Sequence, residues 1–168
     1  MQSKVSIIMG SVSDLKVMEK AAKVLDEFEI PFEINALSAH RTPEEVEKFA
    51  RQAHNRGIKV IIAGAGMAAH LPGVLAAFTA IPIIGVPINA SLDGMDALLA
   101  IVQMPPGIPV ATVGIDGAQN AALLAVQMLC IDDKILYEQY VAYKNRLKEK
   151  IVDANNQLKD VIYKHKTN

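Results

Sequence analysis

The segment Ile58–His70, with the sequence IKVIIAGAGMAAH, decides the fold of this 168-residue chain. Residues 58–63 form an apolar run in which apolar and polar side chains do not alternate, the pattern of a strand buried on both faces. Gly64 and Gly66 end the run, and small residues follow. Strands of this kind occur in parallel sheets covered by helices on both sides, so the segment predicts the centre of such a sheet.

The flanking sequence continues this pattern in both directions, with short apolar runs alternating with segments of helical periodicity. Further strands are predicted at residues 5–9, 32–37, 81–86 and 110–113. Helices are predicted at residues 13–28, 42–56, 67–78, 94–103 and 118–129. The second is expected to begin with a capping box of Thr42 and Glu45 around Pro43. The third is expected to be interrupted near Pro72 and Gly73. This alternation predicts an α/β fold with a doubly wound parallel sheet and right-handed crossovers.

The C-terminal residues predict one long helix. From Asp133 to about Tyr163 the chain has neither Gly nor Pro, and apolar side chains recur every three or four residues. At ~1.5 Å per residue this helix would be ~45 Å long, more than a small domain covers alone. We therefore expect an α/β domain over residues 1–132 and a helix over residues 133–168 that packs on a neighbouring subunit, within a single domain overall. A frayed surface helix is the alternative.

Charge and composition exclude several classes of protein. The chain has 17 Lys and Arg against 18 Asp and Glu, a net charge of -1, and its basic residues are scattered, so nucleic acid is not an expected partner. The single cysteine, Cys130, excludes an internal disulfide and a multi-thiolate metal site, and it favours the reducing cytoplasm. Residues 1–4 lead directly into a strand-like run without the apolar stretch of a signal peptide.

A long uncharged segment raises the question of a membrane. Val60–Leu92 contains no formally charged residue, but prolines and glycines divide it into pieces shorter than the ~20 residues of a spanning helix. We expect this segment to be hidden in a sheet covered on both faces and in subunit contacts, and not in a membrane.

Three loops that follow predicted strands carry the candidate site, because ligands of open parallel sheets bind beyond the carboxyl ends of the strands. The loop Gly10–Asp14 places two hydroxyl groups just before a helix, where free backbone N–H groups favour an anion such as phosphate. An N-cap role alone for Ser13 or Asp14 is an equally good interpretation.

The other two loops add histidines. In Ser38–Pro43, Arg41 can bind a phosphate with two donors, and His40 belongs to the residue type that best exchanges protons near neutral pH. In Gly64–Gly73, the glycines allow the backbone to approach a planar ligand, and His70 follows them. Taken alone, His40 is slightly better explained as a buried, hydrogen-bonded structural histidine than as a catalytic one. His70 alone is explained equally well by a structural role at the helix start and by a ligand contact. The position of His40 after a strand and beside Arg41 favours a chemical role.

Other patterns carry less weight. Residues 64–69 match a dinucleotide-binding fingerprint, but they follow the third strand and lack the acidic residue ~20 positions later that would hold a ribose. The chain has no Walker sequence for ATP and no nucleophile elbow, and its four histidines lack metal-ligand spacing. We interpret Asp93 and Asp96 as a capping pair at a helix start, not as acid–base groups.

Four motifs carry a specific resemblance: GSVSD at residues 10–14, SAHRTP at 38–43, GAGMAAHLPG at 64–73 and IVQMP at 101–105. In their order and spacing they resemble the N5-carboxyaminoimidazole ribonucleotide mutase family, also described as the catalytic subunit of phosphoribosylaminoimidazole carboxylase. The likeness extends from Val5 to about Leu129. It implies a three-layer, flavodoxin-like α/β sandwich, a homo-octamer, and no metal or organic cofactor.

The resemblance also implies roles for individual residues. His40 would be the catalytic acid–base residue. Ser11, Ser13 and Asp14 would meet the phosphoribosyl part of a ribonucleotide substrate. Ser38 and Arg41 would help hold its phosphate, and Ala39 would also be a substrate-binding residue. Those that would border the imidazole and its carboxylate are Ala65, Gly66, His70 and Leu71. Met67 departs from the family motif, which usually has a second glycine there, so the pocket is expected to be reshaped at that position.

The implied reaction converts N5-carboxyaminoimidazole ribonucleotide into 4-carboxy-5-aminoimidazole ribonucleotide in purine biosynthesis. The N-carboxylate leaves as carbon dioxide and the ring carbon recaptures it, while His40 delivers one proton and removes another. A related branch of the family takes free carbon dioxide instead. Two further interpretations are a flavodoxin-like module that binds a mononucleotide without turnover and a non-catalytic assembly subunit.

Overall fold

The computed structural model describes residues 2–168, so Met1, the first residue of the predicted α/β domain, lies outside the described residues. The strands are β1 (Val5–Met9), β2 (Phe32–Ala36), β3 (Val60–Gly66), β4 (Ile83–Ile88) and β5 (Ala111–Thr112). The helices are α1 (Leu15–Glu27), α2 (Pro43–Ala53), α3 (Leu71–Phe78), α4 (Met95–Val102), α5 (Ala118–Leu129) and α6 (Lys134–Gln157). Single 3-10 turns lie at Val12–Asp14, Leu92–Gly94 and Leu158–Asp160. Two compact units result, one ending at Leu129 and the other comprising Cys130–Asn168.

All strand pairs in the first unit are parallel, in the order β2-β1-β3-β4-β5. The pairing places Ile7 opposite Ile34 on one side and opposite Ile62 on the other. This is the strand order of flavodoxin, in which the chain direction across the sheet reverses between β1 and β3. The predicted doubly wound, flavodoxin-like sheet is confirmed.

Burial on both faces explains why the strands lack alternation. Every residue of β1 and β4 is buried, as is all of β3 up to Ala65. Helices α1 and α5 pack against each other on one face, while α2, α3 and α4 cover the other face. The three-layer arrangement therefore follows from the apolar runs that the sequence places in the strands.

The third helix differs from its prediction. It begins at Leu71 rather than at residue 67, and Pro72 lies in its first turn, where a missing N–H interrupts nothing. The preceding residues form a loop in which Met67 and Ala69 have positive φ angles of 55° and 30°. A right-handed helix cannot pass through such angles, so α3 begins only after Ala69. It then continues through Pro72 and Gly73, so the expected interruption there was wrong.

The expected capping interactions were also wrong in part. Thr42 precedes α2 as expected, but its side chain makes no capping bond to that helix. Its hydroxyl instead accepts from the backbone N–H of Ser38 at 3.0 Å and donates to the Ser38 carbonyl at 3.2 Å. At α4 the N-cap is Gly94, with no capping side chain, so Asp93 is no cap. Asp96 accepts from the N–H of Ala97 inside the first turn.

In the second unit, α6 begins where expected and ends early. The Asp133 carboxylate caps it by accepting from the N–H of Leu136 at 3.0 Å. The helix ends at Gln157 and not at Tyr163, so its 24 residues span ~36 Å. Whether it packs on a neighbouring subunit stays a prediction. No helix within residues 2–168 is long and apolar enough to span a membrane.

Candidate active site

The loop after β1 is a tight polar turn. Ser11 precedes the 3-10 turn in an extended conformation, and its hydroxyl accepts from the N–H of Ser13 at 3.4 Å. The Ser13 hydroxyl donates to the Asp14 carboxylate at 3.4 Å. Asp14 makes no side-chain capping bond to α1. Asp14 thus occupies the N-cap position of α1, as one interpretation expected, but its carboxylate accepts from Ser13 and does not cap the helix. Ser13 lies inside the 3-10 turn and is not the N-cap.

Two opposing effects act on Asp14. Partial burial raises the pKa of its carboxyl above the ordinary aspartate value. The backbone hydrogen bond at Ser11, the hydroxyl of Ser13 and the positive charge of Arg41 lower the pKa but only partly offset the burial. The carboxylate is thus held in a less hydrated environment than a surface aspartate.

Arg41 connects the loop after β2 to the loop after β1. Its Nη2 donates to the carbonyl oxygen of Gly10 at 2.9 Å, and its Nε donates to the Ser38 hydroxyl at 3.3 Å. The same hydroxyl accepts from the Arg41 backbone N–H at 3.2 Å. These bonds hold the guanidinium beside the Gly10 turn, where its positive charge suits an anionic ligand.

His40 and His70 face each other across the site. The Nε2 of His40 and the Nδ1 of His70 are 2.7 Å apart, and the rings meet edge to face with centroids 4.9 Å apart. A hydrogen bond between two ring nitrogens needs one ring as donor and the other as acceptor, so the tautomers of the two rings are linked. Both side chains are exposed to solvent.

The loop after β3 approaches the loop after β4 very closely. A Cβ on Gly66 would lie 2.9 Å from the Cβ of Ala90 and 3.2 Å from the carbonyl oxygen of Ile88. The N–H of Ala69 donates to the Gly66 carbonyl at 3.1 Å and closes the turn. Only glycine fits at position 66, and the close approach is to the loop after β4. Approach of this backbone to a planar ligand stays a prediction.

These loops enclose a cavity of about 510 Å3, a volume typical of small-molecule sites. Every residue predicted for the site lines it: Ser11, Ser13, Asp14, Ser38, Ala39, His40, Arg41, Ala65, Gly66, His70 and Leu71. The structure thus brings all of them together, while their individual roles stay predictions. Gly10, Met67, Ala68 and Ala69 also line the cavity, within loops that the sequence had singled out, and Met67 is the position where a reshaped pocket was expected. The sequence reasoning missed Ala90. Ala90 could have been predicted as a lining residue, since it follows a strand at the same edge of the sheet.

A larger cavity of about 630 Å3 lies at the amino ends of β4 and β5. Its lining includes Thr79 and otherwise apolar residues and glycine, and no titratable side chain. Volume alone therefore does not locate the chemistry, and the smaller cavity, with its histidine pair, arginine and aspartate, is the candidate active site. Within residues 2–168 no three His, Cys, Asp or Glu side chains are grouped to hold a metal ion. Independence from cofactors stays a prediction.

A flavodoxin-like sheet with a polar cavity at the reversal of strand order defines a class of α/β proteins that bind small ligands beyond the carboxyl ends of their strands. The model of the AIR carboxylase family matches residues 4–150. The chain belongs to this family.

Individual relatives agree with this assignment. The chain is similar to the N5-carboxyaminoimidazole ribonucleotide mutase of Pyrococcus abyssi, with 63% identity over 86% of this chain and 84% of the relative. It is also similar to the phosphoribosylaminoimidazole carboxylase of Candida glabrata, with 51% identity over 95% of this chain but only 28% of that longer protein. A crystal structure of a Treponema denticola PurE2 variant superposes with a TM-score of 0.86 at 32% identity, covering 95% of this chain and 99% of that one.

Proposed function

We propose that this protein is an isomerase of purine biosynthesis that converts N5-carboxyaminoimidazole ribonucleotide into 4-carboxy-5-aminoimidazole ribonucleotide. The observation that carries the proposal is the contact of His40 with His70 at 2.7 Å, in a cavity that also holds an anion-binding arginine. The family membership and the mutase name of the Pyrococcus relative support this reaction.

Binding of the ribonucleotide starts from its phosphate. Arg41 and the hydroxyls of Ser11, Ser13 and Ser38 offer donors at the end of β1 and β2, close to the start of α1. Asp14 lies in the same turn, where a carboxylate is suited to accept from ribose hydroxyls. The nucleotide would then place its imidazole toward the loop after β3, between Ala39 and Gly66.

His40 carries the proton in both halves of the reaction. When the bond between nitrogen and the carboxylate breaks, carbon dioxide forms and the electron pair stays on nitrogen, which takes a proton from His40. The ring carbon then attacks carbon dioxide, forms the new carbon–carbon bond and loses its proton to His40. One imidazole can serve as acid and then as base, because each step restores the form that the other needs.

The walls of the cavity near the histidines are apolar. Ala65, Ala69 and Leu71 are buried, and Ala68 and Ala90 complete this side. Such walls exclude water and hold carbon dioxide beside the ring carbon, so that recapture competes with escape.

A carboxylase that uses free carbon dioxide is the second candidate function. It is favoured by the name of the Candida relative, a phosphoribosylaminoimidazole carboxylase. The mutase is the better supported of the two, because the chain covers most of the Pyrococcus relative and only a small part of the fungal protein.

The test is turnover by the purified protein without added ATP, bicarbonate or metal. We expect the parent to convert N5-carboxyaminoimidazole ribonucleotide, and His40→Asn to lose activity by about 10²- to 10⁴-fold, the usual contribution of a general acid–base group. His54→Asn is the matched control, since His54 is exposed at the end of α2, at the opposite edge of the sheet.

The outcomes separate the alternatives. Activity of the parent only with free carbon dioxide and unmodified aminoimidazole ribonucleotide would establish the carboxylase instead. Binding of a mononucleotide without any turnover would establish a binding module. Full activity of His40→Asn would leave the reaction standing and remove His40 from it.

We also propose a homo-octamer in the cytoplasm, with α6 packed on a neighbouring subunit. Within the second unit only Leu136 and Tyr143 among the residues of α6 are buried, and Ile135 and Ile151 are more than two-thirds exposed in the single chain. This exposure supports a cover by another subunit. Sedimentation of the full chain and of a truncation ending at Asp132 tests the packing. A truncation that keeps the full-length oligomeric state would overturn it.

A further inference from the structure

Met67 combines two energetically costly features. Its φ angle of 55° lies in the left-handed region, which side chains other than glycine rarely occupy. Its side chain is also 62% exposed, although it lines the candidate active site. A glycine at this position would avoid both the strained backbone and the exposed apolar surface.

The surroundings hold the strained backbone in place. On one side, Gly66 is wedged against Ala90 and the carbonyl of Ile88. On the other side, Ala69 is buried and its N–H closes the turn onto Gly66. The backbone of Met67 is therefore fixed at the rim of the cavity, while its unbranched thioether side chain has several freely rotating bonds.

A flexible apolar side chain on a fixed backbone at a cavity rim can fold over a bound ligand. In the reaction proposed above such a cover would raise the yield of product, because carbon dioxide is small, uncharged and free to diffuse away between its release from nitrogen and its capture by carbon. The other apolar walls belong to short side chains, Ala65, Ala68, Ala69 and Ala90, and to Leu71 at the start of α3. Of the apolar side chains that line the cavity, Met67 is the one large side chain that is exposed.

We propose that Met67 is the cover that retains carbon dioxide during the isomerisation. This inference rests on the proposed function. When substrate is bound, the thioether folds over the imidazole, becomes buried, and closes the exit while the carboxylate moves from nitrogen to carbon. Met67 transfers no proton, and it determines how often released carbon dioxide is recaptured.

The test measures the fraction of consumed substrate that appears as free aminoimidazole ribonucleotide instead of the carbon-carboxylated product. We expect Met67→Ala, which keeps the strained position and removes the cover, to raise this fraction about fivefold, corresponding to loss of roughly half of a methionine side chain's burial free energy. Met67→Leu, which restores the bulk, should return the fraction close to that of the parent.

Two further variants separate a cover from a loop effect. Leu92→Ala is the matched control, because Leu92 is also non-glycine with a positive φ of 43° and is 74% exposed, but does not line the cavity. It should leave the fraction unchanged. Met67→Gly removes the cover and relieves the backbone, so it should show the raised fraction in a protein at least as resistant to heat as the parent.

The possible results are decisive. A raised fraction in the alanine and glycine variants alone supports the inference. An unchanged fraction in Met67→Ala and Met67→Gly, or an equal rise in Leu92→Ala, overturns the inference. The proposed function still stands in that case, provided that the parent forms product. A parent that forms no product from N5-carboxyaminoimidazole ribonucleotide overturns both.

Discussion

The two edges of the sheet differ in backbone strain as sharply as in chemistry. At the carboxyl edge, five non-glycine residues have positive φ angles: Met67, Ala69, Leu92, Asp93 and Asp116. At the amino edge, within residues 2–168, Glu29 is the one non-glycine residue with such an angle. The cavity at the carboxyl edge holds two histidines, an arginine and an aspartate, whereas the larger cavity at the amino edge holds no titratable side chain.

This difference indicates that the carboxyl edge serves activity and the amino edge serves stability, a division between the two edges. Strained backbone persists only where the surrounding structure enforces it, and it is characteristic of sites that position groups for function. The amino edge positions no such groups, and the backbone of its connections follows ordinary local preferences. We therefore expect substitutions at the carboxyl edge to act mainly on activity, and those at the amino edge to act mainly on stability.

The strongest test of this division is Gly66→Ala. The new Cβ would meet the Cβ of Ala90 and the Ile88 carbonyl at 2.9 and 3.2 Å, so the loops after β3 and β4 must separate. We expect turnover to fall about 10²-fold, the usual result of a displacement near 1 Å at a reacting centre. Steady-state kinetics on protein shown to be folded by circular dichroism measures this effect.

Gly57→Ala is the matched control. Gly57 precedes β3 at the amino edge with φ of 82°, and the new Cβ would meet only the flexible end of the Gln2 side chain. It should cost about 1 kcal/mol of unfolding free energy and leave turnover unchanged. A loss of turnover as large as that of Gly66→Ala would contradict the division between the edges.

Ile81→Ala tests the larger cavity. Ile81 is 7% exposed and belongs to the apolar cluster beneath α2 and α3, beside that cavity. Removing its branched side chain should lower the free energy of unfolding by about 2 to 4 kcal/mol, measured by urea denaturation. The turnover per folded molecule should stay within about twofold of the parent, a difference of ~0.4 kcal/mol. A larger loss would show that the amino edge contributes to the reaction.

Glu29→Gly tests strain outside the site. Glu29 follows α1 at the position after its C-cap, where left-handed angles usually belong to glycine. The exchange should stabilise the fold by about 0.5 to 1 kcal/mol, the usual gain from relieving a single such residue, with unchanged turnover. A destabilised variant would show that the Glu29 side chain makes a contact worth more than the strain.

Asp14→Asn tests the cost of a charge at the carboxyl edge. Burial raises the pKa of Asp14 in the folded protein, so its ionised form destabilises the fold at pH values above the ordinary range of aspartate. The variant should therefore be more stable than the parent at pH 7, by less than about 1 kcal/mol because the site is open to solvent. The difference should vanish below about pH 4. Thermal denaturation of both proteins between pH 3 and pH 8 measures this difference in stability. If the variant's extra stability instead grows toward low pH, the pKa of Asp14 is lowered in the folded protein and not raised.

The elements that the sequence specified best are those in which local preference and burial agree. The bounds of β1 and α5 are as predicted, because an uninterrupted β-branched run and an alanine-rich segment each favour one structure. The three site loops came together because parallel strands deliver their carboxyl ends to one edge. That rule depends on topology alone, so it required no knowledge of side-chain contacts.

The features that the sequence did not specify are those in which tertiary contacts override local preference. Met67 and Ala69 favour a helix in isolation, and only the wedge at Gly66 explains their left-handed angles. Thr42 has the sequence of a capping residue, yet its hydroxyl closes the turn to Ser38. The early end of α6 has no comparable explanation in the structure.

The contact between His40 and His70 also has a consequence for how the protein acquires activity. The two residues are 30 positions apart, and they follow strands that flank β1 on opposite sides. The pair therefore forms only after both β2 and β3 have paired with β1, because each of these two strands positions one of the two histidines. During refolding, recovery of the histidine pair should lag behind formation of the helices, and it reports on completion of the first three strands of the sheet.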